Sequence, residues 1–137
     1  MSQDLSQNSQ QAFQKGNADP SLIDHASLMS ICQDENVIYE IAAAVLQEAP
    51  TTLGHLVSAV QTQDMAKLRS YAHKLKGGTA TLGALTTSEL ARQLEQAARE
   101  NDTATIRQTI DQFEQQMNDL LSLISQPSWL DVVRSRS

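Results

Sequence analysis

The sequence predicts an all-α fold, an antiparallel up-down four-helix bundle with a short extra N-terminal helix. Aromatic residues make up only 4% of the 137 residues, and there are just five glycines and three prolines. Strand-rich folds use more aromatic residues and more turns. Alanine, leucine, glutamine and glutamate, which favour helices, are abundant instead. Apolar residues recur every three or four positions over four long segments, and four amphipathic helices with short connections form a bundle.

The chain divides into three predicted parts. Residues 1–19 are rich in glutamine, serine and asparagine, and their isolated apolar positions cannot offset the entropy lost on ordering, so they are predicted to be a flexible N-terminal tail. Residues 20–127 are predicted to form the bundle. Residues 128–137 are predicted to be a C-terminal tail, which is either loose or packs across the end of the bundle through Trp129 and the two valines that follow.

Acidic residues mark the predicted helix starts. Asp19 precedes Pro20, which favours the first helical position, so the short first helix is predicted to begin there. Asp34, Asp64 and Asp102 are predicted to cap the second, third and fifth helices. The apolar positions of the first helix are Leu22, Ile23, Ala26, Met29 and Cys32.

The helix interiors show continuous apolar stripes. Pro50 lies inside the second stripe and is predicted to kink or briefly interrupt that helix. The fourth helix is predicted to begin near Thr86, whose spacing from Glu89 has the form of a capping box, and Pro127 ends the fifth helix. The stripe of the third helix is Leu68, Ala72, Leu75, Thr79 and Leu82. The stripe of the fifth helix is Ile106, Ile110, Phe113, Met117, Leu120 and Ile124.

Composition argues against several classes of protein. Cys32 is the only cysteine, so neither an internal disulfide nor a cysteine zinc cluster is possible, which favours a cytoplasmic location. No apolar run approaches the roughly 18 residues of a membrane span, and residues 1–14 lack the features of a signal peptide. His25, His55 and His73 show no paired metal-ligand spacing. A net charge of −6 argues against a nucleic-acid partner.

The positive charge is concentrated in one window. No acidic residue lies between Asp64 and Glu89. The basic residues of this window are Lys67, Arg69, Lys74 and Lys76. A positive patch on an acidic chain indicates an acidic partner surface, and a solvated helix face is the alternative.

One histidine in this window stands beside two glycines. Gly77 and Gly78 interrupt the third helix, although each glycine costs about 1 kcal/mol relative to alanine. His73 follows the buried Ala72 by one position, about 100° around the helix, and is predicted to face outward. Lys76 and Gly77 share its face. Neutral histidine is a nucleophile, and a lysine one turn away can stabilise phosphoryl oxygens. The alternative is an ordinary surface histidine.

The residues around this histidine resemble a known family. Segment 72–78 reads Ala-His-Lys-Leu-Lys-Gly-Gly, and segment 82–84 reads Leu-Gly-Ala. Together they resemble the signature of the histidine-containing phosphotransfer (HPt) domain family. Segment 48–50, Glu-Ala-Pro, and Glu95 with its preceding leucine also match. The resemblance extends over residues 22–124 and implies an up-down four-helix bundle.

The resemblance also implies roles for single residues. His73 matches the phosphorylated histidine, Lys76 the lysine that stabilises the phosphoryl group, and Gly77 the small residue that opens access. Glu95 matches the position whose side chain orients the imidazole. We expect its carboxylate to accept a hydrogen bond from Nδ1–H and to leave Nε2 as the nucleophile, with the other oxygen solvated. The alternative for Glu95 is a solvated helix residue.

The implied function is that of a phosphorelay intermediate without catalysis of its own. The expected partners are receiver domains of a hybrid sensor kinase, a response regulator or both, which contact Arg69, Lys74 and Gly78 and supply the Mg²⁺. The chain is expected to need no cofactor or metal, to bind neither nucleic acid nor membrane, and to be a monomer. Two alternatives stay open: an HPt-like module that docks receiver or kinase partners without phosphotransfer, and a plain helical adaptor.

Overall fold

The computed structural model describes residues 16–136, and within this range it contains six α-helices and no strand, which confirms the all-α class. Residues 1–15, most of the predicted N-terminal tail, lie outside the described residues. A 3₁₀ turn, Pro20–Leu22, precedes helices α1 (His25–Ile31), α2 (Glu35–Thr62), α3 (Met65–Thr81), α4 (Leu85–Arg99), α5 (Thr103–Ile124) and α6 (Trp129–Arg136).

Helices α2 to α5 form the bundle. The connections 63–64, 82–84 and 100–102 are so short that consecutive helices must run antiparallel. Helix α3 packs most extensively against α4, and α2 also contacts α5, which closes the four helices around one core. The site described below lies on α3 and α4, the pair with the most extensive contact.

The predicted stripes form the core. All five stripe positions of α3 are buried, and in α5 Ile110 is half-buried while the other five positions are fully buried. The stripe of α3 therefore commits one side of that helix to the core and leaves the opposite side to solvent. None of the helices within residues 16–136 combines the length and the apolar character needed to cross a bilayer.

Three predicted caps are present. The carboxylates of Asp34, Asp64 and Asp102 each accept a hydrogen bond from a backbone N–H in the first turn of α2, α3 and α5, respectively. These bonds satisfy donors that have no partner within the helix. They define where three of the four bundle helices begin.

The start of the first helix differs from the prediction. Asp19 caps only the 3₁₀ turn, and Asp24 caps α1. Between them Ile23 adopts an extended conformation, with φ −110° and ψ 124°. Ile23 is buried, and the N–H of Asp24 donates to the carbonyl of Gly83 at 2.9 Å. The chain leaves the helical path here because burial of Ile23 and the bond to Gly83 replace a continuous first helix.

The capping box predicted for α4 is wrong. Its N-cap is the buried Ala84, which makes no side-chain cap hydrogen bond. Gly83 has a positive φ of 75°, and the N–H of Ala84 donates a hydrogen bond to the carbonyl of Thr79 at 2.9 Å. This tight turn brings Leu85 into the helix at once, so Thr86 already lies inside the first turn and cannot cap it.

Helix α2 continues through Pro50 from Glu35 to Thr62, so an interruption is absent, and the alternative, a kink, stays a prediction. The proline lacks an N–H and leaves the carbonyl of Leu46 without its usual helical donor. Buried residues on both sides of it, Ala49 and Leu53, hold the two parts of the helix against the core.

Residues 129–136 pack across the bundle, which is the second of the two alternatives stated for the C-terminal segment. Trp129 is buried in α6, and its ring meets that of Tyr39 edge-on with centroids 5.7 Å apart. Arg134 lies 3.4 Å from the carboxylate of Glu35.

At the other end of the described chain, the N–H of Asn17 donates to Asp119 of α5 at 2.6 Å. The division of the chain at residues 19 and 127 stays a prediction.

We expect Gly83→Ala to lower the free energy of unfolding by about 2 kcal/mol or more, because a non-glycine residue at positive φ is strained. A Cβ atom at this position would also lie 2.8 Å from the carbonyl oxygen of Asp24. Gly54→Ala in α2 is the control, since its Cβ atom would meet nothing within 4 Å. This substitution should raise the free energy of unfolding by about 0.5–1 kcal/mol, because alanine favours the helix more than glycine does. Urea unfolding measures both, and equal stability of the two variants would contradict the account of this turn.

Candidate functional site

His73 projects from the solvent side of α3. Its side chain is 68% exposed, whereas Ala72, the residue before it, is fully buried. Lys74 and Gly77 are exposed on the same side of the helix. Within residues 16–136, Nε2 of His73 has no hydrogen-bond partner, while Nδ1 has one. The ring is therefore exposed and yet attached at one nitrogen.

That attachment comes from Glu95 on α4. Glu95 is only 7% exposed, so the alternative stated for it, a solvated helix residue, is wrong. Its Oε2 lies 2.9 Å from Nδ1 of His73. The burial and the contact both follow from the packing of α4 on α3, which turns this side chain towards the partner helix.

The second oxygen of Glu95 is paired with a side chain, whereas the expectation was that solvent would surround it. It accepts a hydrogen bond from Nζ of Lys76 at 2.7 Å. Lys76 lies three positions after His73, and helical side chains point towards the N-terminus of their helix. Its ammonium group therefore returns to the level of His73 and meets the same carboxylate. The Lys76 side chain is 32% exposed, so part of it faces solvent as well.

Arg99 is a third basic group at this carboxylate, and the sequence reasoning missed it. Its Nη2 lies 3.8 Å from Oε2 of Glu95, four residues earlier on the same helix. A Glu–Arg pair at this spacing is a known helix-surface signal that could have indicated the contact. The distance exceeds that of a hydrogen bond, so the two side chains form an ion pair only.

Electrostatics assign the tautomer of His73. Burial alone would raise the pKa of Glu95, but the hydrogen bonds and charges of Lys76 and His73 outweigh it and hold this pKa below its usual value of 4.5. Glu95 is therefore ionised at neutral pH and can only accept hydrogen bonds. The bond at 2.9 Å thus requires the proton of the neutral ring on Nδ1, so Nε2 carries the free lone pair.

The two glycines of α3 have different surroundings. A Cβ atom at Gly77 would meet nothing within 4 Å, so this position is open above the helix. A Cβ atom at Gly78 would lie 3.8 Å from the side chain of Val45, so this position faces α2. Gly77 lies one turn after His73 on the same face, and it is the glycine that borders the approach to the imidazole.

The remaining candidate residues surround the histidine on α3. Arg69 lies one turn before His73 and is exposed, as is Lys74. Neither makes an ion pair with a described residue. Lys74 and Gly78 also line a shallow groove between α2 and α3, together with Val45, Glu48, Ala49, Thr52 and Leu75. The exposed positive charge of the window therefore lies on both sides of the imidazole.

The described residues were also compared with the ligand sets that bind metal ions. Among residues 16–136, no group of three or more histidine, cysteine, aspartate or glutamate side chains is arranged to hold a metal ion. The expectation that the chain needs no cofactor stays a prediction.

Comparison with known proteins identifies a family for this chain. A family model described as the Hpt domain matches residues 40–124, more than half of the chain. The matched range contains His73, Lys76, Gly77 and Glu95. No curated protein and no solved structure matches the chain at a significant level.

We expect Glu95→Gln to make the stability of the protein less sensitive to acid. Because folding lowers the pKa of Glu95, its contacts contribute stability that is fully present above its ordinary value of 4.5 and is lost as the pH falls below it. The wild type should therefore lose more free energy of unfolding between about pH 6 and about pH 3 than the variant, whose amide does not titrate.

Urea unfolding at a series of pH values measures this difference. Glu40→Gln, at an exposed position of α2, removes the same charge and controls for net charge. Parallel pH profiles of the wild type and Glu95→Gln would show that the carboxylate contributes nothing through ionisation.

Proposed function

The chain belongs to the Hpt domain family, and we propose on this basis that His73 accepts a phosphoryl group from the phospho-aspartate of a receiver domain and passes it to another receiver. Family membership supports a general role in histidine phosphotransfer within a phosphorelay. The observation that carries the residue-level proposal is the hydrogen bond between Nδ1 of His73 and Glu95, which in the neutral ring places the proton on Nδ1 and the free lone pair on the exposed Nε2.

The proposed transfer uses this arrangement directly. The lone pair of Nε2 attacks phosphorus, an Nε2–P bond forms, and the P–O bond to the aspartate breaks, so that the aspartate leaves as a carboxylate. The proton on Nδ1 stays in place, and the ring acquires positive charge as the bond forms. The carboxylate of Glu95, 2.9 Å from Nδ1, offsets that charge. In the second transfer the aspartate of another receiver takes the phosphoryl group and the Nε2–P bond breaks.

Lys76 is the proposed partner of the phosphoryl oxygens. Its ammonium group lies 2.7 Å from Glu95, and its side chain remains partly exposed one turn from His73. A phosphoryl group at Nε2 brings about two negative charges close to the carboxylate. The positive charge of Lys76 reduces that repulsion.

Receiver domains are the proposed partners. The exposed cations Arg69 and Lys74 favour approach of an acidic surface, and the open position at Gly77 admits it to the imidazole. Gly78 and the groove between α2 and α3 provide an adjoining apolar area. The Mg²⁺ that such a transfer uses would be held by acidic residues of the receiver. The contact is expected to bury about 1,200 Å² or less, as transient interfaces do.

We expect His73→Gln to abolish phosphoryl acceptance and to lower the free energy of unfolding by about 1 kcal/mol or less, because the side chain is exposed and Lys76 still pairs with Glu95. The measurement is transfer of labelled phosphate from phosphorylated receiver domains, followed by mapping of the labelled residue. His55→Gln, an exposed histidine of α2, is the control and should accept phosphate at the wild-type rate.

Full acceptance by His73→Gln would show that the site is assigned wrongly. A wild type that binds receivers and takes no phosphate would instead support the alternative, a docking module without phosphotransfer.

We expect Gly77→Gln to slow the transfer about tenfold while it stabilises the bundle by up to about 1 kcal/mol. The new side chain lies beside the imidazole and obstructs the receiver, whereas the helix gains propensity. Gly54→Gln is the matched control, because it makes the same exchange at an open position of α2. Transfer kinetics and urea unfolding are measured for both variants, and a stabilised Gly77→Gln that transfers at the wild-type rate would refute the access role of Gly77.

A further inference from the structure

The hydroxyl of Ser88 makes an unusual bond for a helical serine. Serine and threonine side chains inside helices commonly donate to a carbonyl one turn earlier on their own helix. Thr52, Thr79 and Thr81 do so, at 3.1, 2.8 and 2.8 Å. Ser88 on α4 instead donates to the main-chain carbonyl of Lys76 on α3, at 3.1 Å. A side chain of one helix thus holds the backbone of the next.

Lys76 is therefore bound to α4 at both of its ends. Ser88 holds its carbonyl, and Glu95 holds its ammonium group at 2.7 Å. Ser88 and Glu95 are seven residues apart, which places them on one face of α4 and about 10 Å apart along its axis. The carbonyl of Lys76 points towards the C-terminus of α3 and its side chain towards the N-terminus. Two contacts in opposite directions limit sliding of the two helices past each other.

The bond lies where the backbone of α3 is most easily deformed. The carbonyl of Lys76 belongs to the peptide that links it to Gly77, and Gly78 follows. Glycine has more conformational freedom than other residues, and Gly77 has no side chain that packs on a neighbour. The same carbonyl also accepts the hydroxyl of Thr79 at 3.1 Å. Ser88 is thus a restraint from outside α3 at the start of this segment.

We infer that Ser88 is a positioning residue for the phosphoryl acceptor, an inference that rests on the proposed function of His73. Its hydroxyl fixes the peptide after Lys76 and so keeps the ammonium group of Lys76 on Glu95. Because the same carboxylate holds Nδ1 of His73, this bond also maintains the tautomer with a free Nε2. Loss of the hydroxyl lets α3 shift against α4 and weakens both contacts of Glu95.

The test compares three variants of the full chain with the wild type. Ser88→Ala removes the hydroxyl, and Ser88→Thr retains it. Thr87→Val is the matched control, because the hydroxyl of Thr87 also reaches another helix, where it donates to Gln116 of α5 at 3.0 Å. Phosphoramidate serves as a donor that needs no partner protein: its P–N bond breaks, ammonia leaves and the Nε2–P bond forms. The second readout is the tautomer of His73, measured by ¹⁵N NMR of its ring.

We expect Ser88→Ala to lower the phosphorylation rate of His73 about three- to tenfold, less than the roughly hundredfold effect of a 1 Å misplacement. We also expect a larger fraction of the tautomer protonated at Nε2. Ser88→Thr and Thr87→Val should keep the wild-type rate and tautomer, even where Thr87→Val unfolds more easily.

A wild-type rate in Ser88→Ala overturns the inference, and so does an equal loss in Thr87→Val, which would indicate general loosening of the bundle. A wild type that phosphoramidate does not phosphorylate would count against the proposed function itself. In that case the tautomer decides: a shift confined to Ser88→Ala supports the positioning role, and an unchanged tautomer overturns it.

Discussion

A carboxylate buried between two helices must be paired, and this requirement organises the site. Glu95 is 7% exposed, and an unpaired charge at such a position would cost several kcal/mol. Lys76 satisfies one of its oxygens and His73 the other. An exposed imidazole would otherwise sample many orientations. Here the buried carboxylate of Glu95 fixes the orientation and the tautomer of the ring. The exposed imidazole is therefore ordered by a group that lies between α3 and α4.

The contact between the two helices depends in turn on the connection that joins them. Gly83 turns the chain at a positive φ of 75°, which lets α4 begin at Leu85 and return closely along α3. The N–H of Asp24 donates to the carbonyl of Gly83, so the segment before α1 covers this turn. The first helix thus has a role beyond adding apolar area: it supports the connection that sets how α3 and α4 align, and with it the distance from His73 to Glu95.

Sequence patterns predicted the features that depend on neighbouring residues, such as the buried stripes of the helices. They failed to predict the features that depend on contacts between distant parts of the chain. Periodicity predicted that His73 faces outward, because it directly follows Ala72, a residue of the buried stripe of α3. The capping signal at Thr86 failed because a tight turn at Gly83, whose carbonyl accepts a hydrogen bond from the distant Asp24, starts α4 earlier. The resemblance directed attention to Glu95, but the pairing of its second oxygen with Lys76 depends on helix packing. The bond of Ser88 to another helix has no signature in the sequence at all.

The shared position of Lys76 bears on reversibility in the proposed relay. A carrier that must both accept and release a phosphoryl group is impaired if it binds that group too tightly, because stabilising the bound state raises the barrier to the next transfer. The ammonium group of Lys76 is already engaged by Glu95 at 2.7 Å. Any approach to the phosphoryl oxygens weakens that contact, and the charge of Arg99, 3.8 Å from the carboxylate, only partly compensates for it. In the proposed relay, the phosphorylated state would therefore gain less stabilisation from Lys76 than a free lysine would provide.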